Sequence, residues 1–421
     1  MTNISRRRLL AGSAGAAAAG IPLAAQDSAH HAPDFASLRD DFPWGRNTTF
    51  LNNAGWHPLP ASAFRAMQKY LDYQLNGPGT GRGDFDGRAQ RSVKGAFAQL
   101  INANPSEISF VQSTTTGENL VVAGLGIPGS DWNVVTDELH YEASLYLYGS
   151  LKRQGLDVRI AKPREWRLEP ADYERLVDRK TRLVATSLVS YINGHVHRNI
   201  RGLADLAHSH GGYLYTDIIQ AAGAVPIDMR AMNIDFAACS SYKWLMGSRG
   251  FGYLFVRDDL QGKILRRTQY GDRQFVDFDY HIFPFDSSGP APATWQQGKG
   301  AGSFYEVGNI SNVAGAGQVE SLAYILRLGM DNIRAHARPL TERLRREIPG
   351  LGFPCITPEN NESPIVSFVV KDPMGTRAKL KKANVNAKVG EGEAHPWHQM
   401  RVSPSVYNTQ EDIDRLLNAL G

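Results

Sequence analysis

A carboxylate and an amine stand at matching points of two apolar runs. Tyr213-Leu-Tyr-Thr-Asp217-Ile-Ile-Gln220 ends one run on Asp217. Phe236-Ala-Ala-Cys-Ser240-Ser241-Tyr242-Lys243-Trp244 places Lys243 just past the next run, twenty-six residues later. In an open α/β sheet the carboxyl ends of the strands converge on the ligand crevice, so neighbouring strands would deliver both groups into one pocket. A lysine amine forms a Schiff base with the aldehyde of pyridoxal phosphate, and an aspartate beside the pyridinium nitrogen keeps that electron sink protonated. Taken alone, the same two residues also read as an ordinary salt bridge at a sheet rim.

The elements that would position them follow from hydrophobic patterning. Short apolar runs at 132–136, 158–161, 182–187, 212–216, 236–240 and 251–256 are bounded by turn residues and read as strands. Helix-like stretches at 171–179, 203–210 and 228–232 lie between them. This alternation predicts an α/β fold with a large, mostly parallel sheet covered by helices. A long helix over 312–328 and a polar helix over 331–346 come next. A smaller α+β unit follows, with strands at 365–370 and 401–403 and a final helix that Thr409 and Asp412 cap. The expected organisation is a segment over 34–65 packing on the small domain, a large domain over 66–330 and a small C-terminal domain over 331–421.

Composition narrows the class. The 421 residues are 42% apolar and 21% charged, enough to bury a full core, and the net charge of +4 argues against nucleic acid as a partner. Two cysteines, Cys239 and Cys355, cannot build a disulfide framework or a Cys-rich zinc site. Half of the positive surplus lies in residues 1–30, where Arg6, Arg7 and Arg8 face only Asp27. There, Ser5-Arg6-Arg7-Arg8-Leu9-Leu10 precedes an Ala/Gly-rich apolar stretch. This is the layout of a twin-arginine signal, which implies the translocase as a partner and a periplasmic location.

Two patterns mislead. Gly124-Leu-Gly126-Ile-Pro-Gly129 fits a dinucleotide fingerprint, but a helix-like stretch precedes it and a strand follows, the reverse of the required context. His195 with His197, and His208 with His210, lack the i, i+4 spacing of a helical metal pair, so no metal site is expected.

The ordered motifs resemble the aminotransferase class V family of pyridoxal-phosphate enzymes, which includes cysteine desulfurase, kynureninase and isopenicillin N epimerase, across roughly residues 48–420. The resemblance implies fold type I and a homodimer with shared active sites. Phe110-Val-Gln-Ser-Thr114-Thr115-Thr116-Gly-Glu-Asn119 looks like the family's phosphate-binding turn, with Thr115 and Thr116 as ligands, since a helix start is a natural phosphate cradle. Asp217, Gln220 and Lys243 fall where the family has its pyridine-nitrogen partner, its contact to the ring oxygen and its Schiff-base lysine. Ser240 and Tyr242 occupy the flanking pair that binds phosphate, with Tyr242 where histidine is more typical. Tyr141 matches the position whose ring stacks on the cofactor, and Asn193 the asparagine beside cofactor and substrate carboxylate. Asn309 stands at the turn that reaches the partner subunit's phosphate, in place of threonine. Arg401, in Met400-Arg401-Val402-Ser403-Pro404, matches the arginine that grips the substrate carboxylate, a planar fork suited to bidentate pairing.

Departures shape the expected reaction. The loop 389–398, where desulfurases carry a catalytic cysteine, has none, which argues against persulfide chemistry on the enzyme. Arg82, in Gly79-Thr80-Gly81-Arg82-Gly83, is a candidate for a second anionic group of the substrate, or else part of a surface turn. The expected function is aminotransferase-type chemistry at Cα of an amino-acid or peptide-derived substrate, with tailoring of a siderophore as one setting. A carbon–sulfur lyase or an epimerase is the alternative, and a binding protein on the same fold is the non-enzymatic one.

Overall fold

Strand residues sort by parity onto two cores. Val134, Tyr215, Ala238 and Leu254 belong to one apolar cluster, whereas their neighbours Val135, Leu214, Ala237 and Tyr253 belong to the other. Successive side chains of a strand point to opposite faces, so a sheet buried on both sides must be apolar throughout. The computed structural model describes residues 33–77, 87–276, 296–390 and 398–421, and Asp34–Gly421 forms one compact unit.

In chain order the relevant strands are β1 (Thr49–Phe50), β2 (Ile108–Val111), β3 (Asn133–Asp137), β4 (Asp157–Ala161), β5 (Thr181–Ser187), β6 (Tyr213–Asp217), β7 (Phe236–Ser240) and β8 (Gly252–Val256). Seven of them form one sheet in the order β2-β8-β7-β6-β5-β3-β4. Its links are parallel from β4 to β7, and β8 runs antiparallel to both β7 and β2. The register pairs Ser187 with Asp217, so polar residues collect at the carboxyl edge where β3 ends on Asp137 and β7 on Ser240. Helices Thr114–Gly124 and Glu142–Arg153 contribute to the core on one face, and Asn312–Leu328 to the core on the other. Ser113, Asn199 and Ser311 start three of the helices by accepting a hydrogen bond from a first-turn amide.

A second, antiparallel sheet joins Val366–Val369, Gln399–Val402 and Lys388–Val389. It packs with helices Met330–Glu347 and Gln410–Leu420 on a third apolar cluster. The final helix has the Thr409/Asp412 capping box. Residues of the N-terminal segment lie on this unit: β1 pairs with Val385–Asn386, Asn53 Nδ2 donates to Ser403 O at 2.8 Å, and Arg39 Nη1 donates to Asp412 Oδ2 at 2.9 Å.

Two expected helices are corrected. Residues 228–232 form a turn, because Asp228 Oδ1 accepts from the amides of Arg230 and Ala231 at 3.0 and 2.8 Å and closes the chain locally. The helix expected over 171–179 is only Pro170–Tyr173. Asp178 ends that region in a turn, its Oδ1 accepting from Lys180 N and its own amide donating to Thr181 Oγ1. Trp132 lies outside β3, half-exposed beneath the Arg182 guanidinium. Gly124-x-Gly126-x-x-Gly129 closes a helix, as its context predicts.

Candidate active site

The carboxyl edge of the large sheet brings Asp217 and Lys243 together. Asp217 is the last residue of β6. Its Oδ1 accepts from Ile219 N and its carbonyl from Leu188 N, at 2.8 and 2.9 Å, which fixes the strand end on both sides. Lys243 sits in a tight loop after β7, held where Ser241 N donates to Phe251 O and Met246 N to Lys243 O. Only 6% of Lys243 is exposed, and its Nζ lies 5.6 Å from the Tyr141 ring centre and 5.8 Å from that of Tyr242.

Burial disfavours charge on both groups. It lowers Lys243 to about 7, with Arg401 pushing the same way and Asp217 opposing. It raises Asp217 to about 6, opposed first by His140, then by the Ile219 amide and Lys243. A lysine of this kind changes charge near neutrality, the condition for a nucleophile that also carries protons.

The helix Thr114–Gly124 begins against β7. A Cβ on Gly117 would meet Ala238 Cβ at 2.7 Å, so only glycine lets the helix start approach this closely. Ser240 Oγ accepts from Thr114 N at 2.8 Å, and Ser240 N donates to Thr114 Oγ1 at 2.9 Å. The hydroxyl expected on a phosphate is therefore one half of a clasp between strand end and helix start. Thr114 is its other half, a role that the choice of Thr115 and Thr116 missed. Thr115 is exposed, and Thr116 Oγ1 lies 2.9 Å from Ser113 Oγ. The helix start with its hydroxyl-bearing turn remains the place where a phosphate fits.

Two other expected residues brace the site. Gln220 has both ends of its carboxamide engaged, Nε2 donating to Ala54 O and Oε1 accepting from Trp244 Nε1, each at 2.9 Å. Asn193 is fully buried, donates to Trp166 O and accepts from His195 N, so it shapes the 190–195 turn instead of presenting its amide freely. Gly194 continues that turn at φ 76°, with Ile365 O where a Cβ would stand. Asn309 is exposed and accepts from Arg273 Nη2 at 2.6 Å. Arg82 and the 1–30 leader lie outside the described residues.

Arg401 faces the lysine from the small sheet. It is 2% exposed, with Nη1 donating to Tyr191 O at 2.9 Å and Nη2 to Asn52 Oδ1 at 3.4 Å. Its Nε is buried without a hydrogen-bond partner among the described residues. An orphaned guanidinium donor in a dry site calls for an acceptor, and a carboxylate supplies one with matching geometry. Tyr191, edge-on to Tyr141 at 5.2 Å, and Glu142, which accepts from Tyr191 OH at 3.4 Å, complete the wall. Neither was singled out by sequence, since both sit beside louder motif residues.

Neither sulfur is placed for transfer. Cys239 lies inside β7, and burial holds its thiol well above the usual range. Cys355 is raised by burial as well.

Comparison with known proteins agrees with this fold. A family model described as Aminotransferase class-V matches residues 49–416. A probable cysteine desulfurase of Methanothermobacter thermautotrophicus is 30% identical over 400 residues, covering 90% of this chain and 95% of that protein. The cystine C–S lyase C-DES in complex with its product cysteine persulfide superposes with a TM-score of 0.74 at 22% identity, over 90% of this chain and 98% of that one. A variant of C-DES with glycine covalently linked to the PLP cofactor also has a TM-score of 0.74 at 22% identity, over 91% and 98%.

Proposed function

The chain belongs to the aminotransferase class-V family of pyridoxal-phosphate enzymes, and from that premise we propose that it is a carbon–sulfur lyase acting on a cysteine-derived amino acid. The observation that carries the reading is Lys243, a buried amine near neutrality, facing the unpartnered Nε of Arg401 with no thiol in position beside them. Pyridoxal phosphate, attached through its aldehyde to Lys243, supplies an electron sink for negative charge at the substrate's Cα. Asp217 would face the pyridine nitrogen and keep it protonated, the Tyr141 ring would stack on the cofactor, and the helix start at Thr114 would take the phosphate. Arg401 binds the α-carboxylate and so sets which substrate bond faces Lys243. Once the substrate amine had replaced it on the cofactor aldehyde, the freed Lys243 Nζ would remove the Cα proton, and the sulfur would leave Cβ with the bonding electron pair. Hydrolysis then yields pyruvate and ammonia, and the sulfur departs into solution, since no enzyme thiol stands ready to take it.

Transamination shares these residues up to proton removal and differs in where the proton returns. Incubation with cystine separates the outcomes. Pyruvate, ammonia and a persulfide support the lyase. In a parallel incubation with cysteine, alanine with sulfur bound to protein would indicate a desulfurase, and with either substrate a 2-oxo acid retaining its sulfur with the amine form of the cofactor would indicate a transaminase. Peptide-derived substrates belong in the same panel.

Two further readings attach to this one. Residues 1–30 act as a twin-arginine leader to the periplasm, so replacing Arg6 and Arg7 by lysine leaves the precursor in the cytoplasm. The enzyme is a homodimer, supported by Phe64, Leu71 and Leu75, which are 52, 49 and 81% exposed on one face of the helix Ala61–Asn76. Sedimentation at the mass of one chain would overturn that assembly.

A further inference from the structure

Behind Asp217 lies a second buried charge pair that the proposed chemistry does not touch. Glu118, 1% exposed on the helix Thr114–Gly124, has its Oε2 beside Ser144 Oγ at 2.5 Å. Its Oε1 accepts from Tyr148 OH at 2.8 Å and lies 3.1 Å from His140 Nε2. His140 is fully buried between β3 and the helix Glu142–Arg153, and its Nδ1 lies 2.8 Å from Ser187 Oγ. Ser187 is the residue that the sheet register sets beside Asp217. An imidazole whose one nitrogen faces a carboxylate and whose other faces a hydroxyl donates from both ends when protonated.

We infer that His140, held as an imidazolium by Glu118 and anchored on Ser187, is a positioning residue that keeps Asp217 anionic beneath the cofactor. The inference rests on Asp217 as the pyridine-nitrogen partner. Burial works against charge on His140, but Glu118, followed by Asp137 and Asp217, raises it overall. In turn His140 is the largest influence holding Asp217 down against burial, ahead of Lys243. Tyr141, Tyr242 and Cys239 also feel Asp217, and other ionisable groups that bear on the cluster include five more, Asp137, Tyr173, Tyr215 on β6, Tyr148 and His197. Burial pushes each of these five toward its neutral form.

His140→Gln removes the cation that most opposes the effect of burial on Asp217, so Asp217 takes up a proton and the pyridine nitrogen loses its anionic partner. Without that pyridinium charge, the Schiff-base nitrogen on Lys243 holds its own proton more tightly. The test is a spectral pH titration of the full-length holoenzyme, with cofactor dissociation and thermal melting measured in parallel. His140→Gln is expected to move the midpoint of the visible Schiff-base band upward by on the order of one pH unit. Glu118→Gln moves it the same way by less, because it lets His140 neutralise while also removing an opposing charge. Histidine ring NMR of the wild-type apoprotein is expected to show His140 doubly protonated, and a neutral ring would overturn the inference. Unchanged midpoints in both variants, with or without altered melting, would overturn the inference and leave only a structural role. If His140→Gln does not fold, Ser144→Ala with Tyr148→Phe strips donors from Glu118 and must still shift the midpoint. A protein that forms no visible band at all would instead refute the cofactor reading itself.

Discussion

Replacing Arg401 by glutamine separates substrate recognition from the rest of the machinery. The amide retains a donor for Tyr191 O, which Nη1 serves at 2.9 Å, but the planar charge and the orphaned Nε are lost. Truncating one member of a buried, hydrogen-bonded charge pair costs about 2–5 kcal/mol. At about 1.4 kcal/mol per decade, kcat/KM for α-amino acids falls roughly 30- to 4,000-fold. A second effect has its own sign. After burial, Arg401 is the main influence depressing Lys243, so its removal raises the lysine, and the pH at which the amine becomes free moves up. The assay is cofactor-dependent proton exchange at Cα followed across pH, with each amino acid compared to its decarboxylated amine. The account expects a loss confined to substrates that carry the carboxylate, with the acidic limb displaced to higher pH. Equal losses for acid and amine, or a limb that moves down, would refute the reasoning.

Three other outcomes follow from the same geometry. Ser240→Ala removes the acceptor of Thr114 N and leaves a buried donor unpaired, so chemical denaturation should show a loss of about 1–3 kcal/mol, together with weaker cofactor binding by equilibrium dialysis. Gly117→Val drives a side chain into Ala238 and displaces the helix start, and calorimetry should register about 1–3 kcal/mol of destabilisation along with a lower phosphate affinity. His57, buried between Pro58 O and Ser405 Oγ, is pushed down to about 4. Between pH 6.5 and 4 the unfolded chain therefore binds a proton that the native state refuses, and stability falls as pH drops through that window. His57→Gln should flatten this acid limb by about 3 kcal/mol in melts at pH 4 relative to pH 7.

The parts of the site that are legible in sequence are those placed by a strand end. Asp217 and Lys243 terminate or closely follow β6 and β7, and short continuous apolar runs bounded by turn residues locate such ends. Arg401 was reached through motif order, since a lone arginine in a short strand carries no local signal. Glu118 and His140 gave none either. A glutamate inside a helix and a histidine before one look like surface residues until the fold buries them against each other. Nor could sequence foresee that Ser240 would clasp Thr114, or that Gln220 would brace Trp244, because hydroxyl and amide partners are set by packing. The two misplaced helices failed for a local reason. Asp228 and Asp178 offer backbone amides a side-chain acceptor, and a turn closes before a helix can propagate.

The central claim is that Lys243 carries pyridoxal phosphate. Borohydride reduction of the purified full-length protein loaded with the cofactor, followed by peptide mass mapping, tests it most directly. The account predicts one pyridoxyl-phosphate adduct, located on Lys243 and absent from Lys243→Ala. A protein without adduct, or a label on any other lysine that persists in the variant, would contradict it.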